Sequence, residues 1–199
     1  MYKIILASNS PRREEILNQA GVTFTIIPSL IEEITTKVIP MEIVEELAIN
    51  KAIDVAERVS DSAIIIGADT MVAVGNEVLG KPKTYEEAQR MLTLLQGKEH
   101  QVYTGVGIII KKIDNDHVSN KVIRFAQVSH VRVSNMKEEQ IKAYIDTREP
   151  FDKAGAYGIQ GKFCVYIESI TGEYNNIVGL PIAKIYRALL AEGIDLLSM

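Results

Sequence analysis

The stretch Ala7-Ser8-Asn9-Ser10-Pro11-Arg12-Arg13 gathers hydroxyls and two guanidiniums where the chain is predicted to pass from a buried strand, Ile4-Ile5-Leu6, into a helix. Ser10 is a natural N-cap, Pro11 suits the first helical position and Gly21 marks the far end. The free N–H groups and dipole of such a terminus favour an anion. Two adjacent arginines repel each other and oppose that dipole. Either they form a solvated pair beside an ordinary cap, or they meet a polyphosphate, whose oxygens fit a guanidinium fork. Asp69, in Ala68-Asp69-Thr70, follows the continuous apolar run Ala63-Ile64-Ile65-Ile66-Gly67. That places a carboxylate at a strand end, where α/β proteins concentrate chemistry. An Asx-turn or cap is its structural use, but no helical pattern follows it. Lys51 shares the inward arc of a helix with Val44, Ala48 and Val55, so its ammonium either snorkels or meets an anion. Gly80-Lys81-Pro82-Lys83 brings two more lysines.

The elements that must position these groups alternate in type. After the first helix come a strand at Phe24–Ile27, a loop from Ser29 to Pro40 containing Glu32-Glu33, and a long helix from Met41 to Val59. Met71–Val74 and Glu77–Leu79 read as a hairpin around Gly75-Asn76, and a helix opens at the capping box Thr84-Tyr85-Glu86-Glu87 and closes at Gly97. Two long strands, Val102–Ile110 and Val118–Val133, flank a turn at Asp114-Asn115-Asp116, whose acidic spacing lacks the rest of a calcium loop. A short helix capped at Asn135, with Glu138 in the box position, runs to Thr147. Glu149 to Gly161 carries Gly155, Gly158 and Gly161 among polar residues, a composition suited to backbone that closely approaches something, with Tyr157 and Ile159 needing a place to pack. Phe163–Ile170 reads as a strand, and a final helix begins at Pro181 and ends at Gly193.

Composition narrows the function classes. The 199 residues suit one domain or two closely fused lobes. A net charge of -4 argues against a general nucleic-acid-binding surface, so any anion site must be local. No apolar run reaches the roughly 20 residues of a membrane span, and no signal-peptide pattern precedes the first strand. Cys164, the single cysteine, forms no intrachain disulfide and reads as a packed thiol; a cytoplasmic address follows by default. His100, His117 and His130 lack the paired spacing of zinc ligands and read as ordinary surface or strand residues.

Taken in order, Ser8-Asn9-Ser10-Pro11-Arg12-Arg13, Glu33, Lys51-Ala52, Ala68-Asp69-Thr70, Gly80-Lys81-Pro82, the run Glu149–Gly161 and Val178-Gly179-Leu180-Pro181 strongly resemble the Maf family of septum-formation-inhibitor-like nucleotide pyrophosphatases. The ordered set spans nearly the whole chain, with two departures: Asn9 where a small residue is usual, and Glu32 where aspartate commonly precedes Glu33. The resemblance implies a single Maf-like domain over residues 1–199. Its fold would be mixed α/β, an elongated, twisted, mixed sheet flanked by helices, with two lobes around a central cleft, similar to the inosine-triphosphate pyrophosphatases. It implies hydrolysis of a nucleoside triphosphate to monophosphate and pyrophosphate, and a homodimer. Arg12, Thr70 and Gln160 match the dTTP/UTP-hydrolysing subtype; the subtype preferring 7-methyl-GTP differs at the last two.

Such chemistry needs neutralised phosphates, an oriented water and a stabilised leaving group. On this reading Arg13, Lys51 and Lys81, with Ser8 and the backbone near Ser10, hold the phosphate chain. Asp69 is the general base, and Glu33 with Asp69 holds a divalent cation, Mg²⁺ or Mn²⁺. Either Asp69 is a free base or it orients a water that the metal activates. The Gln160 amide suits a pyrimidine's alternating carbonyl and N–H edge, with Thr70 and Arg12 completing the contact or excluding purines. The competing reading is a nucleotide-binding regulator of cell division with incidental hydrolysis. A pure sensor needs the cationic cradle but has no use for Asp69 and Glu33. A nucleic-acid-binding module is disfavoured by charge.

Overall fold

The structure, a computed structural model, describes residues 2–75, 77–114 and 117–198. Strands β1 (Lys3–Leu6), β2 (Thr25–Ile26), β3 (Ala63–Val74), β4 (Glu77–Leu79), β5 (Glu99–Asp114), β6 (His117–Val133) and β7 (Ile167–Thr171) form one sheet. Its order is β2-β1-β3-β5-β6-β7, with β4 paired to β3 off that path. β1 runs parallel to β2 and β3, whereas β3–β4 and β6–β7 are antiparallel, so the sheet is mixed. The helices are α1 (Pro11–Gln19), α2 (Pro40–Arg58), α3 (Tyr85–Leu95), α4 (Glu138–Asp146), α5 (Tyr174–Val178) and α6 (Ile182–Leu190). The expected mixed α/β class is the observed one.

The chain forms two compact units. The first comprises Met1–Asp69, Thr104–Gln127 and Gly179–Met199; the second comprises Thr70–Tyr103 and Val128–Val178. In the first unit the apolar face of α2 meets alternate residues of β1, β3 and β5. Ile5, Ile49, Ala52, Val55, Ala56, Ala63, Ile65 and Ile109 form one buried cluster there. Lys111 closes the C-terminal end of α2 by donating to the carbonyls of Ala56 and Val59.

Several sequence expectations change. The strand expected to stop at Gly67 runs on to Val74, because its second half pairs with β4 at Val72–Val74. Asp69 therefore lies within β3, although it sits beyond the last residue paired with β1, Ile66. Ser10 occupies the N-cap of α1, but its hydroxyl makes no capping bond. Helix α4 starts after Lys137, not Asn135; Gln140 Oε1 accepts the Lys137 N–H at 2.8 Å, so the reciprocal half of a capping box comes from Gln140. Phe163 does not begin a strand. A 3₁₀ turn covers Lys162–Tyr166, and its three-residue period buries Phe163 while Cys164 and Val165 face solvent. Cys164 is thus exposed, not packed. His100 lies in β5, one of the two alternatives open to it, and is fully buried there. The turns expected at Gly75-Asn76 and Asp114-Asn115-Asp116 fall partly outside the described residues.

Candidate active site

In the first unit the site begins with glycine. A Cβ at Gly67 would lie 2.3 Å from the Ala48 carbonyl oxygen. At Gly105 it would lie 2.0 Å from that of Val44, and at Gly107 2.4 Å from the Ile49 Cα. At these three positions helix α2 therefore rests directly on the backbone of β3 and β5. Strand alternation puts Ala63, Ile65, Gly67 and Asp69 on the helix-facing side. Where the apolar part of this face ends, Asp69 meets Lys51, whose Nζ lies 2.7 Å from Asp69 Oδ1 and 2.6 Å from Glu33 Oε1. The inward lysine thus meets anions instead of snorkelling. Both side chains of the Lys51–Asp69 pair are only 12% exposed, whereas Glu33 is 60% exposed.

Arg13 lies on the buried stripe of α1 with Ile16 and Leu17. Its Nε donates to the Gly179 carbonyl at 2.8 Å and its NH1 donates to Ser8 Oγ at 2.9 Å. Burial pulls the guanidinium below its ordinary pKa, and the neighbouring Arg12 adds to that. Asp69 and, less strongly, Glu33 pull the other way, so Ser8, Arg12, Arg13, Glu33, Lys51 and Asp69 form one electrostatic neighbourhood. Ser8 Oγ also accepts the Ser10 N–H at 3.2 Å. With both acceptor positions used, the Ser8 hydroxyl keeps its proton to donate outward. In the backbone near Ser10, the Ser10 N–H itself is thus turned to Ser8.

Glu33 comes from a loop without helix or strand, tied at its root. Asp54 Oδ2 accepts from the Leu30 N–H at 2.9 Å and from Arg58, which also donates to the Pro28 carbonyl. The Leu30 bond is the main reason the Asp54 carboxyl lies below its usual range. Thr35 donates to Glu46 further along. Among the described residues no three His, Cys, Asp or Glu side chains cluster for a metal. Two carboxylates gathered on one ammonium nonetheless fit Mg²⁺ or Mn²⁺ that completes its shell with phosphate and water, and Lys51 Nζ occupies the cationic position.

Thr70, Lys81 and Gln160 belong to the second unit. Thr70 faces away from Asp69 by strand alternation and shares a face with Val72. Gly155 packs on Val72, where a Cβ would lie 3.0 Å from its methyls, and its N–H donates to the Gly80 carbonyl at 3.0 Å. Strand β3, which bears Thr70, and the Gly80–Lys81 segment thus meet at Gly155, which precedes Gln160 in the same segment. Lys81 and Gln160 are exposed. Beneath the glycine-rich segment lies an aromatic core. Phe163 contacts Tyr144, Tyr157 and Tyr166 with centroids 4.9–5.4 Å apart, and the Tyr157 hydroxyl meets His100 Nε2 at 2.7 Å. That supplies the packing Tyr157 needed. Burial lowers the His100 pKa to about 4 and pushes the Tyr157 phenol up.

The sequence reading missed the three glycines under α2 and the Gly179 carbonyl. Gly67, Gly105 and Gly107 at alternate positions of apolar strands were the available signal. It missed Tyr144 and the supporting role of Glu149 as well.

The chain matches the sequence profile described as Maf-like protein over residues 3–192. A relative from Lachnoclostridium phytofermentans called dTTP/UTP pyrophosphatase is 50% identical over 198 residues, covering 100% of this chain and 99% of that one. Relatives of the same name from Bacillus cereus and Agathobacter rectalis are 47% and 44% identical, each covering 98% of this chain and 98% and 100% of their own. Among solved structures, a HAM1 protein from Coxiella burnetii is similar at a TM-score of 0.43 and 17% identity, covering 68% of this chain and 75% of that one.

Proposed function

The chain belongs to the Maf family, and on that premise we propose that it hydrolyses dTTP and UTP to the nucleoside monophosphate and pyrophosphate. The observation that carries the proposal is the Lys51 ammonium holding the Asp69 and Glu33 carboxylates together in the electrostatic neighbourhood of Arg13. A binding-only regulator has no need of that acid pair, and the relatives' names are those of enzymes.

In the mechanism, Lys51 fixes Asp69 through Oδ1 and leaves Oδ2 to receive a proton from the attacking water. The water oxygen bonds to the α-phosphorus, the α–β anhydride bond breaks, and its electron pair leaves on pyrophosphate. Arg13, aimed by Gly179 and Ser8, neutralises the phosphate chain, and Ser8 donates its remaining proton to a phosphate oxygen. Lys81 is assigned to the phosphate chain, and Gln160 with Thr70 and Arg12 to the base, on family resemblance. A divalent cation held by Glu33 and Asp69 would supply charge neutralisation on the phosphates and a more acidic bound water.

The reading carries with it a homodimer and a cytoplasmic location. Among the described residues no helix is long and apolar enough to cross a membrane.

The test is pyrophosphate release from a panel of nucleoside triphosphates with Mg²⁺ or Mn²⁺. Turnover should be greatest with dTTP and UTP. Asp69→Asn should lower it by orders of magnitude with nucleotide affinity kept. Full turnover by Asp69→Asn would remove Asp69 from the chemistry, and absence of turnover with every nucleotide would overturn the enzyme reading.

A further inference from the structure

Gln160 sits in a tight turn, Gly158-Ile159-Gln160-Gly161, closed by the Gly161 N–H donating to the Gly158 carbonyl at 3.2 Å. Both legs of this turn are held by one pair of side chains. On the leading leg the Gly158 N–H donates to the Tyr144 hydroxyl at 3.4 Å. On the trailing leg the Lys162 N–H donates to Glu149 Oε2 at 3.0 Å. Tyr144 and Glu149 are joined in turn, the phenol donating to Glu149 Oε1 at 2.9 Å. The carboxylate fills the space beneath Gly161, where a Cβ would stand 2.0 Å from Oε1. Lys153 braces the same residue from its other side, donating from Nζ to the Glu149 carbonyl at 2.8 Å, and its stem lies under Gly158. Tyr144 is fixed by its ring, which packs on Phe163 with centroids 5.0 Å apart. Burial and the adjacent carboxylate push its pKa up, so it stays a donor to Glu149 throughout the working pH range.

We propose that Tyr144 and Glu149 are positioning residues for nucleobase selection: they hold the Gly158–Gly161 turn so that the Gln160 amide is presented in one orientation. The inference rests on the assignment of Gln160 to the base. An amide on an unsupported turn loses the preorganisation that makes hydrogen-bond readout selective. Neither residue touches the reacting atoms.

The experiment is a double-mutant cycle read as the ratio of kcat/KM for dTTP to that for GTP. Tyr144→Phe keeps the packed ring and removes only the hydroxyl; its thermal midpoint confirms folding. Its dTTP:GTP ratio should fall about tenfold, the scale of one or two lost hydrogen bonds. Gln160→Ala should lower the ratio at least as far, and adding Tyr144→Phe to Gln160→Ala should change it no further. Gly161→Ala, which forces Glu149 aside, should reproduce the Tyr144→Phe ratio. Hydrogen exchange at the Gly158 and Lys162 amides should accelerate in Tyr144→Phe. If Gln160→Ala shifts the ratio but Tyr144→Phe leaves it unchanged, or shifts it equally in both backgrounds, the positioning role is overturned while the base assignment stands. If Gln160→Ala itself leaves the ratio unchanged, both fall together.

Discussion

Replacing Lys51 with methionine keeps the packed stem but removes the charge between Asp69 and Glu33. The Asp69 side chain, 12% exposed, would lose its ammonium partner and keep the favourable field of Arg13; Glu33 is 60% exposed. Stranding one partner of a fully buried pair costs about 3–5 kcal/mol, and an exposed pair is worth at most about 1 kcal/mol. The Asp69 arm lies nearer the first limit, tempered by Arg13, and the Glu33 arm lies at the second. A loss of about 2 kcal/mol follows, which lowers the melting midpoint by about 4–8 °C in a chain of this size. Calorimetry at pH 7 and low salt measures it, with Asp69→Asn and the double variant completing a cycle. The double variant should be more stable than the two single losses added together predict, because no charge is stranded. Mn²⁺ without nucleotide should raise the midpoint of Lys51→Met more than that of the parent, since the ammonium no longer competes for the carboxylates. An unchanged midpoint in Lys51→Met, or strict additivity in the cycle, would refute the coupling.

Three further outcomes test other parts of the structure. His100 titrates near 6.5 when unfolded but only at about 4 when folded, so the unfolded state binds more protons between those values and stability falls as pH drops through that window. The loss amounts to about 3 kcal/mol, and urea melts of His100→Gln across the window should lack that slope. Gly67→Ala drives a methyl into the Ala48 carbonyl and should cost about 3 kcal/mol or more, read by chemical denaturation, whereas an Ala at Gly80, with open space around it, should cost little. Cys164 is solvent-exposed and should react with a maleimide in the native protein at a rate close to that of a free thiol, leaving the melting midpoint in place.

What the sequence made legible follows the range of the forces involved. Helices α2 and α3 and the front half of β3 announce themselves through local periodicity and capping, and each appears within a residue or two of its expected bounds. Lys51 on an apolar arc signalled an unmet charge, and that charge is met by Asp69 and Glu33. The failures are cases where distant chain decides. Asp69 looked like a strand terminus because the hairpin strand Met71–Val74 was read as separate from Ala63–Gly67, whereas one strand runs through both. Cys164 looked buried because an apolar run was read with period two when its backbone winds with period three. Arg13 was assigned to the phosphates without any sign that the Gly179 carbonyl, 166 residues away, aims it. Tyr144 and Glu149 carried no motif of their own beyond the run that contains Glu149, since their importance lies in which amides they hold.

Because α2 lies directly on bare backbone at Gly67, Gly105 and Gly107, no intervening side chain can be trimmed or enlarged to retune the spacing of base and ammonium. That half of the machinery is inherited whole or lost whole. The exposed loop bearing Glu33 is tied by side chains instead of backbone contact, at Asp54 and Glu46 and through Lys51. Variation that alters ion preference or turnover while sparing the fold is therefore channelled into residues 30–39, and directed libraries aimed there should yield far more folded, altered enzymes than libraries aimed at the helix seat.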